Sequence, residues 1–138
     1  MGRILAIDYG SKRVGLAVTD PLKILATGLT TIHSKDLIEY LEKYCKAENV
    51  EIIVVGEPKQ LNNQQSDSAR FIEPFVKHLQ KKFPHIAIER FDERFTSKIA
   101  QQTMLIGGLK KKDRQNKELV DMMSATIILQ DYLRFKNI

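Results

Sequence analysis

Cysteine is nearly absent from this 138-residue chain: the single Cys45 excludes an internal disulfide and any metal cluster of the Cys/His type. Cys45 falls in an apolar-periodic helical stretch, which suits a packed thiol better than a nucleophile. The histidines, His33, His78 and His85, stand apart beside helix ends or turns and lack metal-ligand spacing. Long apolar runs are missing too. Ile4-Leu5-Ala6-Ile7 is cut off by Asp8 well before a signal-peptide core or a membrane span could form. The expected location is the cytoplasm, with no membrane partner. Gly2 does not read as a myristoylation site, because Ala6 stands where Ser or Thr is needed. No repeat, linker or low-complexity tract divides the chain, so residues 1–138 are expected to form one domain around one core.

What is present is an ordinary globular composition, 43% hydrophobic and 28% charged, which can bury a core and argues against disorder. The charge is lopsided: a net +5 favours a polyanionic partner, because neutralising phosphates releases counterions and steers association. That surplus permits nucleic-acid binding without demonstrating it.

Three extended segments come first, Arg3 to Tyr9, Val14 to Asp20 and Leu25 to Thr31, joined by links short enough to force an antiparallel meander. Ser34 then offers a cap for a helix whose Leu37, Ile38, Leu41, Tyr44 and Cys45 recur at helical spacing up to Asn49. Glu51 to Gly56 is a continuous apolar run suited to a central strand. A polar loop from Gln60 to Gln65 precedes a helix that begins near Ser66 and ends before Pro84, with Pro74 as a potential kink. Ile86 to Phe91 supplies a further strand, followed by helices from about Thr96 to Ile106 and Glu118 to Arg134. The expected fold is therefore α/β, a mixed five-stranded sheet with a three-strand meander and two parallel strands, flanked by helices.

Three acids stand out within this frame. Asp8 ends the first strand beside Gly10; the competing reading is an Asp in a hairpin turn. Glu93 follows the strand ending at Phe91; an acidic helix start would look the same. Asp121 is more informative, because it shares a helix face with Ala125, Ile128 and Tyr132. A carboxylate in line with a burying stripe needs an Arg, hydrogen-bond donors or a metal. If the three converge, they form a hard-oxygen ligand set suited to magnesium or manganese and to phosphodiester hydrolysis. Lys110, Lys111, Lys112, Arg114 and Lys117 lead into the helix of Asp121, where a basic loop could hold a nucleic-acid backbone; a merely solvated loop is the plainer reading. Tyr9 and Phe95 adjoin the acids and could stack on bases, although short-motif aromatics more often fill a core.

The run Asp8-Tyr9-Gly10-Ser11-Lys12-Arg13-Val14-Gly15-Leu16-Ala17 resembles the first motif of the YqgF (RuvX-like) family, Asp-x-Gly-x-x-Arg-x-Gly-x-Ala. Asp92-Glu93-Arg94 resembles its Asp-Glu-Arg motif, and Val120-Asp121-Met122-Met123-Ser124-Ala125 resembles its closing Asp-x-x-(Ser/Ala)-Ala helix. The match runs over essentially the whole chain. It implies a ribonuclease H-like fold and a nuclease acting on Holliday junctions or on the small-subunit ribosomal RNA precursor. It also implies that Asp8, Glu93 and Asp121 are the metal-binding, catalytic acids, with Arg13 and Arg94 suited to phosphate contacts or to pairing with the acids. One departure is Gly56-Glu57-Pro58 followed by Lys59-Gln60, where the family often has Gly-Leu-Pro followed by Leu-Asn. Glu57 is thus a candidate fourth ligand, against a solvent-facing loop reading that is slightly preferred.

Two other classes compete with the nuclease: a noncatalytic RNA-binding or ribosome-assembly factor, and an ATP-binding protein of the actin-like superfamily. The latter normally needs two domains and a second Asp-x-Gly motif, which this chain lacks. The expected partner is structured RNA or branched DNA, bound by a monomer or a homodimer.

Overall fold

The computed structural model describes residues 2–9, 12–57, 69–92 and 117–136. Strand β1 (Arg3–Tyr9) pairs antiparallel with β2 (Arg13–Thr19), which pairs antiparallel with β3 (Ala26–His33). A 3-10 turn, Ser34–Asp36, then leads into helix α1 (Leu37–Ala47). Strand β4 (Val50–Glu57) lies parallel to β1 on its other side, and after helix α2 (Ala69–Lys82) strand β5 (Ala87–Asp92) lies parallel to β4. Helix α3 (Lys117–Phe135) follows. The sheet order is β3-β2-β1-β4-β5, the five-stranded mixed sheet that the meander and the helical crossovers imply.

Small differences from the sequence reading have local causes. Asp20 leaves β2 because its carboxylate accepts the backbone N–H groups of Leu22, Ile24 and Leu25, closing the β2–β3 turn around Lys23 at φ 60°. β3 runs on to His33 because Arg13, one residue earlier than expected, pairs with it. Ser34 opens a 3-10 turn whose cap is His33, its Nδ1 accepting from the Lys35 N–H at 3.2 Å, and the N-cap of α1 itself is Asp36, without a side-chain cap hydrogen bond. Pro74 lies inside α2, and the expected helix over 96–106 falls outside the described residues.

Alternation along the strands divides the core in two. Leu5 and Ile7 of β1, Val14, Leu16 and Val18 of β2, and Ile53 and Val55 of β4 meet Leu37 and Leu41 of α1 and Ile72, Phe75, Val76 and Leu79 of α2. The opposite residues, Ile4, Ala6, Ala17, Ala26, Val54 and Phe91, meet Ala125, Ile128, Leu129, Tyr132 and Leu133 of α3. The C-terminal part of α3 is pinned to β5: the Tyr132 hydroxyl donates to the Glu89 carboxylate, and Lys136 Nζ lies 3.5 Å from the same group. Burial, then that hydrogen bond, push the Tyr132 phenol well above its ordinary range.

Candidate active site

Asp8 occupies the next outward step of β1 after Ile4 and Ala6, so alternation sends its side chain to the α3 side of the sheet, where it is half-buried. Its register partners are both glycines, Gly15 on β2 and Gly56 on β4, and Gly56 pairs in turn with Phe91. No flanking side chain therefore stands beside the carboxylate in its own row.

Gly15 also decides where α3 lies. A Cβ built there would fall 2.0 Å from the Asp121 carbonyl oxygen and 2.5 Å from its carbon, distances no side chain tolerates. One strand further out, a Cβ on Gly28 would meet the Met122 side chain at 2.7 Å. Because Gly15 is the lateral neighbour of Asp8, this backbone-to-strand contact brings Asp121 to the corner where Asp8 emerges. Further along α3, Ala125, Ile128 and Tyr132 are buried, so the stripe read from the sequence is the docking face and Asp121 is its polar end.

The partner that Asp121 requires is Arg13. Arg13 Nε donates to Asp121 Oδ2 at 2.7 Å, with the Asp121 side chain 23% exposed and that of Arg13 42% exposed. Arg13, Gly15 and Ala17 alternate onto the α3 face of β2, which explains how a residue at the strand's start reaches the helix.

The other sequence candidates separate. Glu93, Arg94, Phe95, Lys110, Lys111, Lys112 and Arg114 lie outside the described residues, as do the side chains of Lys117 and Glu57. Lys117 opens α3, and Glu57 closes β4 with Asp92 as its register partner. Tyr9 points the other way from Asp8: its ring stacks on Phe75 at 4.4 Å, which makes it a core residue, and burial raises its phenol. Cys45 is half-buried against the α1/α2 core, and burial pushes its thiol up, as a packed thiol requires. Sequence reasoning missed Gly56 and Gly28. Their signal was a glycine interrupting a strand pattern, a mark of close approach.

The family model described as RuvX, Holliday junction resolvase, matches residues 2–135. The chain belongs to the RuvX family. Among RuvX relatives, a Phocaeicola vulgatus protein named "Putative pre-16S rRNA nuclease" is 62% identical over 136 residues, covering 99% of this chain and 98% of its own length. A Bacteroides fragilis protein of the same name is 55% identical over the whole of both chains. Of solved structures, Thermus thermophilus RuvC in complex with a Holliday junction substrate superposes with a TM-score of 0.56 over 98% of this chain and 96% of that one. At 14% identity this likeness shows the ribonuclease H-like fold alone. RuvX membership bears out the resemblance read in the sequence motifs and makes this a nuclease-family chain. None of the described helices is long and apolar enough to cross a membrane.

Proposed function

We propose that this RuvX chain is a single-domain, metal-dependent nuclease of the cytoplasm, with Asp8, Glu93 and Asp121 as its ligand acids. The observation that carries the reading is the shared corner of Asp8 and Asp121, joined through Gly15. Their oxygens fit magnesium or manganese, which favour carboxylates, water and phosphate over nitrogen or sulfur cages. A bound ion would supply Lewis acidity toward a phosphodiester.

The remaining work falls to the chain's own groups. Asp8 and Asp121 fix the site to the central strand and to α3, rigid elements that hold a constellation better than loops do. Gly56, the β4 register partner of Asp8, leaves clearance there for a sugar-phosphate backbone, while Gly15 seats α3 on the β2 side. Arg13, Arg94, Lys110, Lys111, Lys112, Arg114 and Lys117 hold the backbone, and Glu57 is a candidate further ligand. The substrate is structured nucleic acid: precursor 16S ribosomal RNA, in accord with the names of the relatives, ahead of a four-way DNA junction. The protein acts as a monomer or a homodimer.

The Arg13–Asp121 ion pair favours one rival, a noncatalytic RNA-binding factor in which Asp121 is purely structural. A cleavage panel of precursor ribosomal RNA, junction DNA, duplexes and single strands with magnesium or manganese separates the two. Cleavage that disappears in Asp8→Asn supports the nuclease; binding without cleavage in both proteins supports the rival.

A further inference from the structure

Arg13 touches Asp121 in an economical way. The hydrogen bond runs through Nε to one oxygen, and the terminal guanidinium nitrogens donate no hydrogen bond among the described residues. A fork-on-fork pair would use two parallel N–H groups and lock both partners; this single-point contact leaves the other guanidinium N–H groups uncommitted to Asp121. With 42% of its side chain exposed, Arg13 reaches solvent from the same sheet face as Asp8 and Asp121. Its backbone is held by pairing with His33, so only the side chain is free to move. A partly exposed pair of this kind contributes little stability, so a divalent ion can displace it.

We propose that Arg13 is an exchangeable counter-ion of Asp121. Without metal it neutralises the carboxylate; when an ion takes that carboxylate, Arg13 passes to a nucleic-acid phosphate. This rests on the metal-dependent nuclease reading and deepens it, because metal and polyanion then bind cooperatively through one side chain, each by the same factor. Arg13 is a positioning residue in this scheme. A merely structural Arg13 predicts the opposite sign, since losing a support for Asp121 weakens metal binding.

The test uses the full chain and reads binding apart from activity. Manganese titration followed by electron paramagnetic resonance, without nucleic acid, is expected to show about 2- to 5-fold tighter binding in Arg13→Gln, the equivalent of a partly exposed ion pair. Arg13→Lys keeps a competing cation and stays near the parent. Salt titrations of binding to an intact synthetic four-way DNA junction form the second arm. The slope difference between the parent and Arg13→Gln is expected near zero in EDTA and about 0.9 with calcium, one phosphate contact. Should Arg13→Gln fold poorly, Asp121→Asn releases Arg13 permanently and raises the EDTA slope by about 0.9 over the parent. Manganese binding that is unchanged or weaker in Arg13→Gln, or a slope difference equal in EDTA and calcium, overturns the exchange. A parent that cleaves through Asp8 yet shows that result loses only this inference. A parent that neither binds manganese nor cleaves loses the nuclease reading with it.

Discussion

The two faces of the sheet are built to different rules. Toward α1 and α2 the strands present Leu5, Ile7, Val14, Leu16, Val18, Ile53 and Val55, a layer of branched side chains that keeps the helices at side-chain distance. Toward α3 they present Ile4 and Phe91 but also Ala6, Gly15, Ala17, Ala26, Gly28 and Val54, and at Gly15 and Gly28 α3 comes down onto the strands. The first face holds the fold together by volume. The second trades apolar volume for closeness, and it is the face that carries Asp8, Arg13 and Asp121. The lesson is that small residues here set the distance between α3 and the strands that carry Asp8 and Arg13.

Substitutions on the two faces should therefore fail differently. The largest expected effect is Asp8→Asn, a loss of cleavage of roughly a thousandfold, about 4 kcal/mol in the barrier, with the melting temperature nearly unchanged. Steady-state cleavage beside thermal melting checks it, and an active Asp8→Asn protein removes the site from this face. Next is Leu16→Ala on the opposite face, which should cost about 2–5 kcal/mol of stability through transfer and cavity terms. Cleavage per folded molecule should survive below the melting transition. Gly15→Ala sits one residue away and reverses the pattern: overpacking costs about 1–3 kcal/mol, while displacement of Asp121 costs far more activity than Leu16→Ala does. If Leu16→Ala were the one to lose activity in its folded form, the division between the faces would be wrong.

The smallest effect lies at the β2–β3 turn, away from both helical layers. Backbone N–H groups, that of Leu25 first, hold the Asp20 carboxyl below its ordinary value of 3.8. A depressed folded pKa means that the turn's extra stability is present above pH 3.8 and is lost as pH falls through the lower folded value. Amide exchange at Ile24 and Leu25 should rise, relative to the intrinsic rate, in that acid window, and Asp20→Asn should abolish the pH dependence. An unaltered acid response in Asp20→Asn would assign it to other carboxylates.

Much of this was readable from local pattern. β1 begins and ends where the apolar run from Arg3 to Tyr9 places it, and the meander follows from links too short for a crossover. The α3 stripe of Ala125, Ile128 and Tyr132 followed from helical spacing, with Asp121 aligned on it. The cap at His33 did not, because it depends on where β3 stops, which its pairing with β2 decides. Tyr9 was ambiguous for a similar reason: whether a strand-end aromatic meets a base or a core depends on what packs beneath it, and Phase-setting alternation alone cannot supply Phe75.

The sequence by itself determined the kinds and order of the described elements and singled out Asp8, Glu93 and Asp121 as candidate acids, since period, turn chemistry and motif spacing are local properties of the chain. Only the tertiary structure decided that Asp8 lies between two glycines, that Gly15 seats the Asp121 backbone, and that Arg13 reaches across 108 positions of sequence to hold its carboxylate. Those contacts arise when β1 pairs with both β2 and β4 and α3 packs across them, and pairing between distant segments is written in no local window of residues.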